Sequence, residues 1–156
     1  MSIEIERKFL VKNNSFLADS FQKKYIKQGF LNTDKHRTVR IRISDDTGYI
    51  TIKGITNETG MSRFEWEKKI SIDEANQLLT LCEDTPIEKH RYLLKNDSFV
   101  FEVDVFVGAN NGLIIAEIEL SSEKDHFSKP EWLGKEVTGE TKYYNSMLSK
   151  TPYNKW

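Results

Sequence analysis

The feature that most constrains this chain is an alternation of charged and apolar residues that recurs in segment after segment. The first example is Glu4-Ile5-Glu6-Arg7-Lys8, in which Glu4, Glu6 and Lys8 stand two residues apart. Successive side chains of a β-strand point to opposite faces, so these three charges are predicted to share one face of a strand. Two carboxylates and an ammonium group on one face can hold a divalent cation together with an anion bound to it.

Six later segments repeat this arrangement. Neutral polar residues are scarce at the charged positions, where an ordinary solvated strand face would mix them in. The chain is therefore predicted to form a sheet with one charged face and one apolar face. The eight acids at these positions are Glu4, Glu6, Glu65, Glu67, Glu102, Asp104, Glu117 and Glu119, and the seven bases are Lys8, Arg40, Arg42, Lys53, Arg63, Lys89 and Arg91.

Two structures are compatible with this pattern. An open sheet could expose its charged face to water. Alternatively, the sheet could close into a barrel, with the charged faces lining a central tunnel and the apolar faces covered by helices. Because an unpaired buried ion is costly, a charged interior requires a wet tunnel and a ligand that provides partners for both signs. A metal-bound polyphosphate does so, since carboxylates bind divalent cations and Arg and Lys bind phosphate oxygens.

The periodicity predicts an α+β fold in which eight short antiparallel strands are mostly connected as hairpins, with two or three helices beside them. Closing such a sheet into an eight-stranded antiparallel β-barrel removes its exposed edges. The predicted strands are residues 2–11, 24–31, 36–44, 48–54, 63–70, 86–95, 98–107 and 113–121.

The helices are predicted from their capping residues. Ser71 lies three residues before Glu74, which is the spacing of a capping box, so a helix is predicted to begin after Ser71. The other predicted segments are 12–23 (a short helix or a loop), 122–127 (a short helix capped by Ser122), 130–137 (irregular) and 139–150 (a helix capped by Thr138).

Length and charge narrow the class of protein. A chain of 156 residues fits one domain, predicted to span residues 1–156. With a net charge of −1, no global field favours binding to nucleic acid or to an anionic membrane, so neither is expected as a partner. Cys82 is the only cysteine and the three histidines are scattered, which excludes an internal disulfide and argues against a zinc site. We expect a cytoplasmic protein, and a homodimer stays open.

The charged segments also follow a specific order along the chain. They run Glu4-x-Glu6-x-Lys8, Arg40-x-Arg42, Thr51-x-Lys53, Arg63-x-Glu65-x-Glu67, Glu88-Lys89-x-Arg91-Tyr92, Glu102-x-Asp104-x-Phe106, Glu117-x-Glu119 and Glu136-Val137-Thr138, followed by Tyr143 and Asn145. This ordered set resembles the CYTH superfamily, the triphosphate tunnel metalloenzymes, from Ile3 to about Leu148. The first motif alone is a weak signal, whereas the complete set is specific.

The resemblance implies an eight-stranded tunnel that binds a triphosphate together with Mg²⁺ or Mn²⁺. Lys8 and Lys89 are candidates for proton transfer, because neighbouring cations lower the pKa of a lysine. Phe30 stands where relatives often have Tyr, so any role of that hydroxyl is absent here. The implied metal-binding acids are Glu4, Glu6, Asp104, Glu117 and Glu119, and the implied phosphate-binding bases are Lys8, Arg40, Arg42, Lys53, Lys89 and Arg91.

The activity favoured by the resemblance is hydrolysis of inorganic tripolyphosphate to pyrophosphate and phosphate. A class IV-type adenylate cyclase and a thiamine triphosphatase stay as alternatives, because contacts with the triphosphate dominate all three activities. A non-catalytic polyphosphate- or nucleotide-binding module is the alternative from another class. The acids argue against that module, since without a metal they would repel a polyanion.

Overall fold

The computed structural model describes residues 2–156, which form nine strands and three α-helices. The strands are β1 Ser2–Val11, β2 Gln22–Asn32, β3 Arg37–Ser44, β4 Thr47–Gly54, β5 Ser62–Ile70, β6 Glu83–Asn96, β7 Phe99–Phe106, β8 Ile114–Glu119 and β9 Leu133–Glu136. The helices are α1 Phe16–Asp19, α2 Ile72–Leu79 and α3 Asn145–Lys150. None of the helices within residues 2–156 has the length and apolar character needed to span a membrane.

Eight of the strands close into an antiparallel barrel. Their order is β5-β4-β3-β2-β6-β7-β8-β1, and β5 also pairs with β1, for example Glu4 with Arg63. The predicted α+β barrel is thereby confirmed, and it leaves no open edge among these eight strands. The ninth strand, β9, adds to β1 outside this ring, and Arg7 of β1 holds Glu136 of β9 through two hydrogen bonds of 2.8 and 2.7 Å.

The apolar outer face of β1, β6, β7 and β8 forms the larger core. Phe101 lies at its centre, with its ring 5.2 Å from that of Trp132 and 5.7 Å from that of Phe127. The segment between β8 and β9 therefore covers this side of the barrel, together with Phe16 of α1. This arrangement agrees with the prediction that the apolar faces point outward.

A second core closes one end of the barrel from the inside. Phe106 is directly opposite Lys89 in the β6–β7 pair, so both side chains lie on the inner face. The same holds for Ile115 opposite Asp104. These apolar residues pack against Leu148 of α3. We call this group the apolar plug; it consists of Ile87, Phe106, Ile115, Tyr143 and Leu148. The interior is thus charged along most of its length and apolar at one end.

The helix α2 packs on the outside of β2, β3 and β4. Its capping box is as predicted, with Ser71 Oγ accepting from the Glu74 amide at 3.0 Å and Glu74 Oε1 accepting from the Ser71 amide at 3.0 Å. The helix approaches β4 closely at Gly48, where an added Cβ would lie 2.9 Å from the Ala75 Cβ. A glycine is therefore needed at this contact.

We expect Gly48→Ala to destabilise the protein by about 1–3 kcal/mol, because the new methyl group must push α2 off the barrel. Urea denaturation of the variant measures this cost. Gly54→Ala, in the same strand, is the control, since its Cβ would meet nothing closer than the Phe64 Cβ at 3.4 Å. Equal destabilisation of both variants would mean that the contact between α2 and β4 is not tight.

The structure corrects the three predictions made after β8. Residues 122–127 form no helix, because Asp125 Oδ2 accepts the backbone N–H groups of Ser121 and Ser122 and fixes a turn. The segment 130–137, predicted to be irregular, contains β9. The last helix begins only at Asn145, since Gly139 has a φ of +78° and Thr138 Oγ1 accepts from the Lys8 amide instead of capping a helix.

Candidate active site

The charged inner faces line a cavity of about 240 Å³. It contains ten of the eleven predicted site residues, drawn from β1, β3, β4, β6 and β8; the eleventh, Asp104, does not line it. The ten are Glu4, Glu6, Lys8, Arg40, Arg42, Lys53, Lys89, Arg91, Glu117 and Glu119. Strand alternation places them together because closing the barrel turns one face of every strand inward.

Glu4 lies within a cluster of cations. Lys53 Nζ is 2.9 Å from Glu4 Oε2, and Arg63 Nε is 3.4 Å from the same oxygen. Burial by itself raises the pKa of Glu4, but Lys53 and Arg63 more than offset this and lower it. Glu65 also faces Lys53, at 3.6 Å. Glu4 is therefore held as a carboxylate and connects the acids of the cavity with its bases.

Glu6 and Glu117 form a pair of adjacent carboxyl groups. Burial, and then the charges of Glu117 and Glu4, raise the pKa of Glu6 well above its usual range. Burial also raises the pKa of Glu117, but Lys8, whose Nζ lies 3.8 Å from Glu117 Oε1, and Arg91 lower it overall. Negative charge on both of these adjacent groups is unfavourable. A divalent cation bound between them would relieve this repulsion.

Glu119 completes the acidic part of the cavity. It is directly opposite Glu6 in the β1–β8 pair. Burial, and then Glu4 and Glu102, raise the pKa of Glu119. These carboxylates are hard oxygen donors of the kind that Mg²⁺ and Mn²⁺ prefer. Within residues 2–156 no group of three acidic, histidine or cysteine side chains is arranged to hold a metal ion. The oxygen donors of these carboxylates nevertheless fit a divalent cation.

Asp104, predicted as a metal ligand, contacts two of the bases. Its Oδ1 is 2.7 Å from Arg91 Nε, and its Oδ2 is 2.8 Å from Lys89 Nζ. Asp104 and Lys89 are both about 1% exposed. Burial raises the pKa of Asp104, but Arg91 and Lys89 lower it overall. Asp104 therefore lies on the inner face of β7 beneath Lys89 and Arg91, and it orients these two phosphate-binding candidates.

Lys89 is the most deeply buried base of the cavity. Burial lowers its pKa to about 7, with Arg91 and Arg42 adding to the shift and Asp104 opposing it. Its ammonium group also donates to Asn145 Oδ1 at 2.9 Å. A lysine with a pKa near 7 can exchange a proton at physiological pH, in line with the proton-transfer hypothesis.

This pKa predicts how stability depends on pH. Between about pH 7 and pH 10 the unfolded state keeps the lysine proton, with a pKa of about 10.4, while the folded state has released it. The unfolded state then binds more protons, so the free energy of unfolding rises with pH by up to about 1.4 kcal/mol per unit. We expect Lys89→Met to remove this contribution, as measured by urea denaturation from pH 7 to 10.

Lys95, which is exposed and lies in the same strand, provides the matched control. Lys95→Met should keep the pH dependence of the wild type. If Lys89→Met keeps it as well, Lys89 is charged in the fold throughout this range.

Several functional candidates were not among the predicted site residues. Thr51 is fully buried, accepts from Arg40 at 3.1 Å and donates to Glu67 at 2.8 Å. The ring of Tyr144 lies 5.1 Å from Lys8 Nζ and lines the cavity. Alternation along β4 could have indicated Thr51, which shares a face with Lys53. No periodicity could have indicated Tyr144, because it lies just before α3 and reaches the cavity only through the packing of that helix.

Phe30 also lines the cavity, on the inner face of β2. It is 4% exposed, and it provides an apolar surface where a tyrosine would provide a hydroxyl. The sequence-based expectation that no hydroxyl is available at this position therefore applies to the wall of the cavity itself.

Known proteins resemble this chain over nearly its full length. An inorganic triphosphatase of Acetivibrio thermocellus is 47% identical over 154 residues, which is 98% of this chain and 97% of the relative. An inorganic triphosphatase of Nitrosomonas europaea is 35% identical over 150 residues, covering 94% and 96%.

A solved structure leads to the same group of proteins. The inorganic triphosphatase NE1496 superposes with a TM-score of 0.67 and 33% sequence identity, covering 96% of this chain and 95% of that chain. The sequence profile of the CYTH domain matches residues 2–153. The closed barrel and its cavity, lined by both acids and bases, agree with this match. The chain therefore belongs to the CYTH domain family.

Proposed function

We propose that this protein is an inorganic triphosphatase that hydrolyses tripolyphosphate to pyrophosphate and phosphate with the help of a divalent metal. The observation that carries the proposal is the composition of the cavity. Six bases and four carboxylates of the predicted set line one cavity of about 240 Å³. Such a space suits a short, highly charged anion bound together with a metal.

Mg²⁺ or Mn²⁺ is the cofactor that we propose. Glu4, Glu6, Glu117 and Glu119 would hold it, because these four carboxylates line the cavity. When bound, the metal neutralises charge on the phosphate oxygens and activates water. Asp104 remains a further proposed ligand; its two oxygens contact Arg91 and Lys89 in the structure, just as both oxygens of Glu4 contact Lys53.

The bases would bind and orient the phosphate groups. Arg40, Arg42 and Arg91 can each bind phosphate oxygens through two N–H groups, and the lysines act as point charges. Fixing the phosphates and stabilising charge on the leaving pyrophosphate account for most of the catalysis in phosphoryl transfer. Lys8 and Lys89 are the proposed proton-transfer candidates, Lys89 being supported by its pKa of about 7.

The apolar plug restricts where the organic group of a nucleotide or of thiamine triphosphate could lie. It occupies the end of the barrel next to Lys89, where Phe106 lies 5.3 Å from the Lys89 ammonium group. A base and ribose therefore have no space at this end of the barrel. The class IV-type adenylate cyclase and thiamine triphosphatase alternatives require the organic group to lie at the opposite, open end.

The test is phosphate release from tripolyphosphate, ATP and thiamine triphosphate, each with Mg²⁺, with Mn²⁺ or with EDTA. We expect metal-dependent turnover of tripolyphosphate and little turnover of ATP. Faster turnover of thiamine triphosphate, or formation of cyclic AMP from ATP, would favour the corresponding alternative. Binding of tripolyphosphate without release of phosphate would favour the non-catalytic module.

We further propose a cytoplasmic location, a single domain over residues 1–156, and no nucleic-acid or membrane partner. The net charge of −1 and the small charged cavity support a small-molecule partner. A homodimer also remains a proposal. Sedimentation of the purified protein at micromolar concentration tests it.

A further inference from the structure

We propose that Gln28 and Asn145 form an amide bridge that positions Arg42 and Lys89 for binding the phosphate group deepest in the cavity. The bridge is continuous: Arg42 Nε donates to Gln28 Oε1 at 2.8 Å, and Gln28 Nε2 donates to Asn145 Oδ1 at 2.9 Å. Lys89 Nζ donates to the same Asn145 Oδ1 at 2.9 Å. The inference rests on the proposed function for its substrate, and Gln28 and Asn145 act in it as positioning residues.

The chemistry of the four groups fixes the orientation of both amides. An Arg side chain can only donate hydrogen bonds, so Arg42 must face the amide oxygen of Gln28. Gln28 therefore presents its oxygen to Arg42 and its N–H group to Asn145. The Asn145 oxygen then accepts from both Gln28 and Lys89. A carboxylate at position 28 could not donate to Asn145, and an apolar side chain would break the chain of hydrogen bonds.

The bridge holds Arg42 in position without placing a carboxylate beside it. Arg91 and Lys89 share the carboxylate of Asp104, but Arg42 forms no salt bridge with any carboxylate of residues 2–156. Burial, and then the nearby charges of Arg40 and Arg91, lower the pKa of Arg42 to about 9. Neutral amides hold Arg42 in place without neutralising it. Its charge thus stays available for an anionic ligand.

The bridge also connects the cavity to the end of the chain. Gln28 is 0% exposed and belongs to β2, whereas Asn145 is the first residue of α3. Leu148, one turn further along α3, is fully buried in the apolar plug. The docking of α3 therefore determines where the Asn145 oxygen lies, and through it the positions of two bases that come from β3 and β6.

The experiment compares Gln28→Met, Asn145→Ala and the double variant. The dissociation constant is measured calorimetrically for imidotriphosphate, a slowly hydrolysed tripolyphosphate analogue, in Mg²⁺. We expect each single variant to weaken binding about 10-fold or more, as for lost hydrogen bonds to charged groups. The double variant should be no weaker than the weaker single variant, because either change breaks the same bridge. With tripolyphosphate, the loss should appear mainly in KM.

Asn110→Ala is the control for a merely structural effect. Asn110 Oδ1 accepts from the Tyr153 amide at 2.8 Å and so fastens the end of the chain outside the cavity. This variant should melt earlier yet bind the analogue like the wild type. Losses that multiply in the double variant, or an equal loss in Asn110→Ala, would overturn the inference. If Gln28→Met does not fold, the inference is still tested by comparing analogue binding by Asn145→Ala, whose position is half-buried, with binding by Asn110→Ala.

The readouts separate this inference from the proposed function. A wild type that binds the analogue but releases no phosphate from tripolyphosphate would refute the triphosphatase activity and leave the bridge to be judged by binding. An active wild type whose single variants bind and turn over normally would refute the bridge alone.

Discussion

The Glu117→Gln variant is expected to hydrolyse tripolyphosphate at least about 10²–10³-fold more slowly than the wild type. A divalent metal contributes several kcal/mol of charge stabilisation in the transition state, and each 1.36 kcal/mol corresponds to a factor of ten. Glutamine keeps the shape of the side chain but removes the charge that would hold the metal beside Glu6. Initial rates of phosphate release at saturating tripolyphosphate measure the effect.

Two further measurements identify the cause. Raising the Mg²⁺ concentration should restore part of the activity of Glu117→Gln, since its main defect is weaker binding of the metal. Glu131→Gln is the control, because Glu131 is exposed outside the barrel. A wild-type rate in Glu117→Gln would show that this carboxylate does not hold the metal.

The Asp104→Asn variant is expected to lose about 3–5 kcal/mol of stability, which is the usual cost of removing one partner from a buried ion pair. For a chain of this size the melting temperature should fall by roughly 6–20 °C. The reason is that Arg91 and Lys89 would remain buried without the carboxylate that both now contact. Thermal and urea denaturation at pH 7 measure the loss.

The matched control is Glu102→Gln. Glu102 also contacts Arg91, at 3.1 Å, but its side chain is 35% exposed, so its removal should cost less than about 1 kcal/mol.

The pH dependence of the stability of Asp104→Asn provides an independent check. Because the folded-state pKa of Asp104 is lowered, its stabilisation is present above the unfolded pKa of about 4 and is lost as the pH falls further. The free energies of unfolding of Asp104→Asn and the wild type should therefore become equal in acid.

The sequence was sufficient for the barrel because each strand repeats a period of two. Once Glu4, Lys53 and Glu117 are assigned to the charged face of their strands, closure of the sheet brings them together, as the structure confirms. The helix α2 could be predicted equally well from the sequence, since its capping box depends on Ser71 and Glu74 alone. Both features are local and need no knowledge of distant contacts.

The remaining features depend on contacts between distant parts of the chain. The strand β9 is four residues long and pairs with β1, where Glu136 contacts Arg7, 129 positions away. The apolar plug breaks no alternation, since Phe106 and Ile115 occupy regular inner positions and differ from their neighbours only in polarity. The pairing of Asp104 with Arg91 and Lys89 could not be predicted, because alternation assigns all three residues to the charged face without showing which of them touch.

The apolar plug also has a kinetic consequence. Since it seals one end of the barrel, the substrate enters and both products leave through the same opening. The fragment held nearer to that opening must depart first, because it obstructs the deeper one. Release is then ordered, and the fragment that leaves last competes directly with the next substrate molecule. Whether pyrophosphate or phosphate is the competitive inhibitor would therefore reveal whether the terminal phosphate that is split off lies at the deep end of the cavity or at its opening.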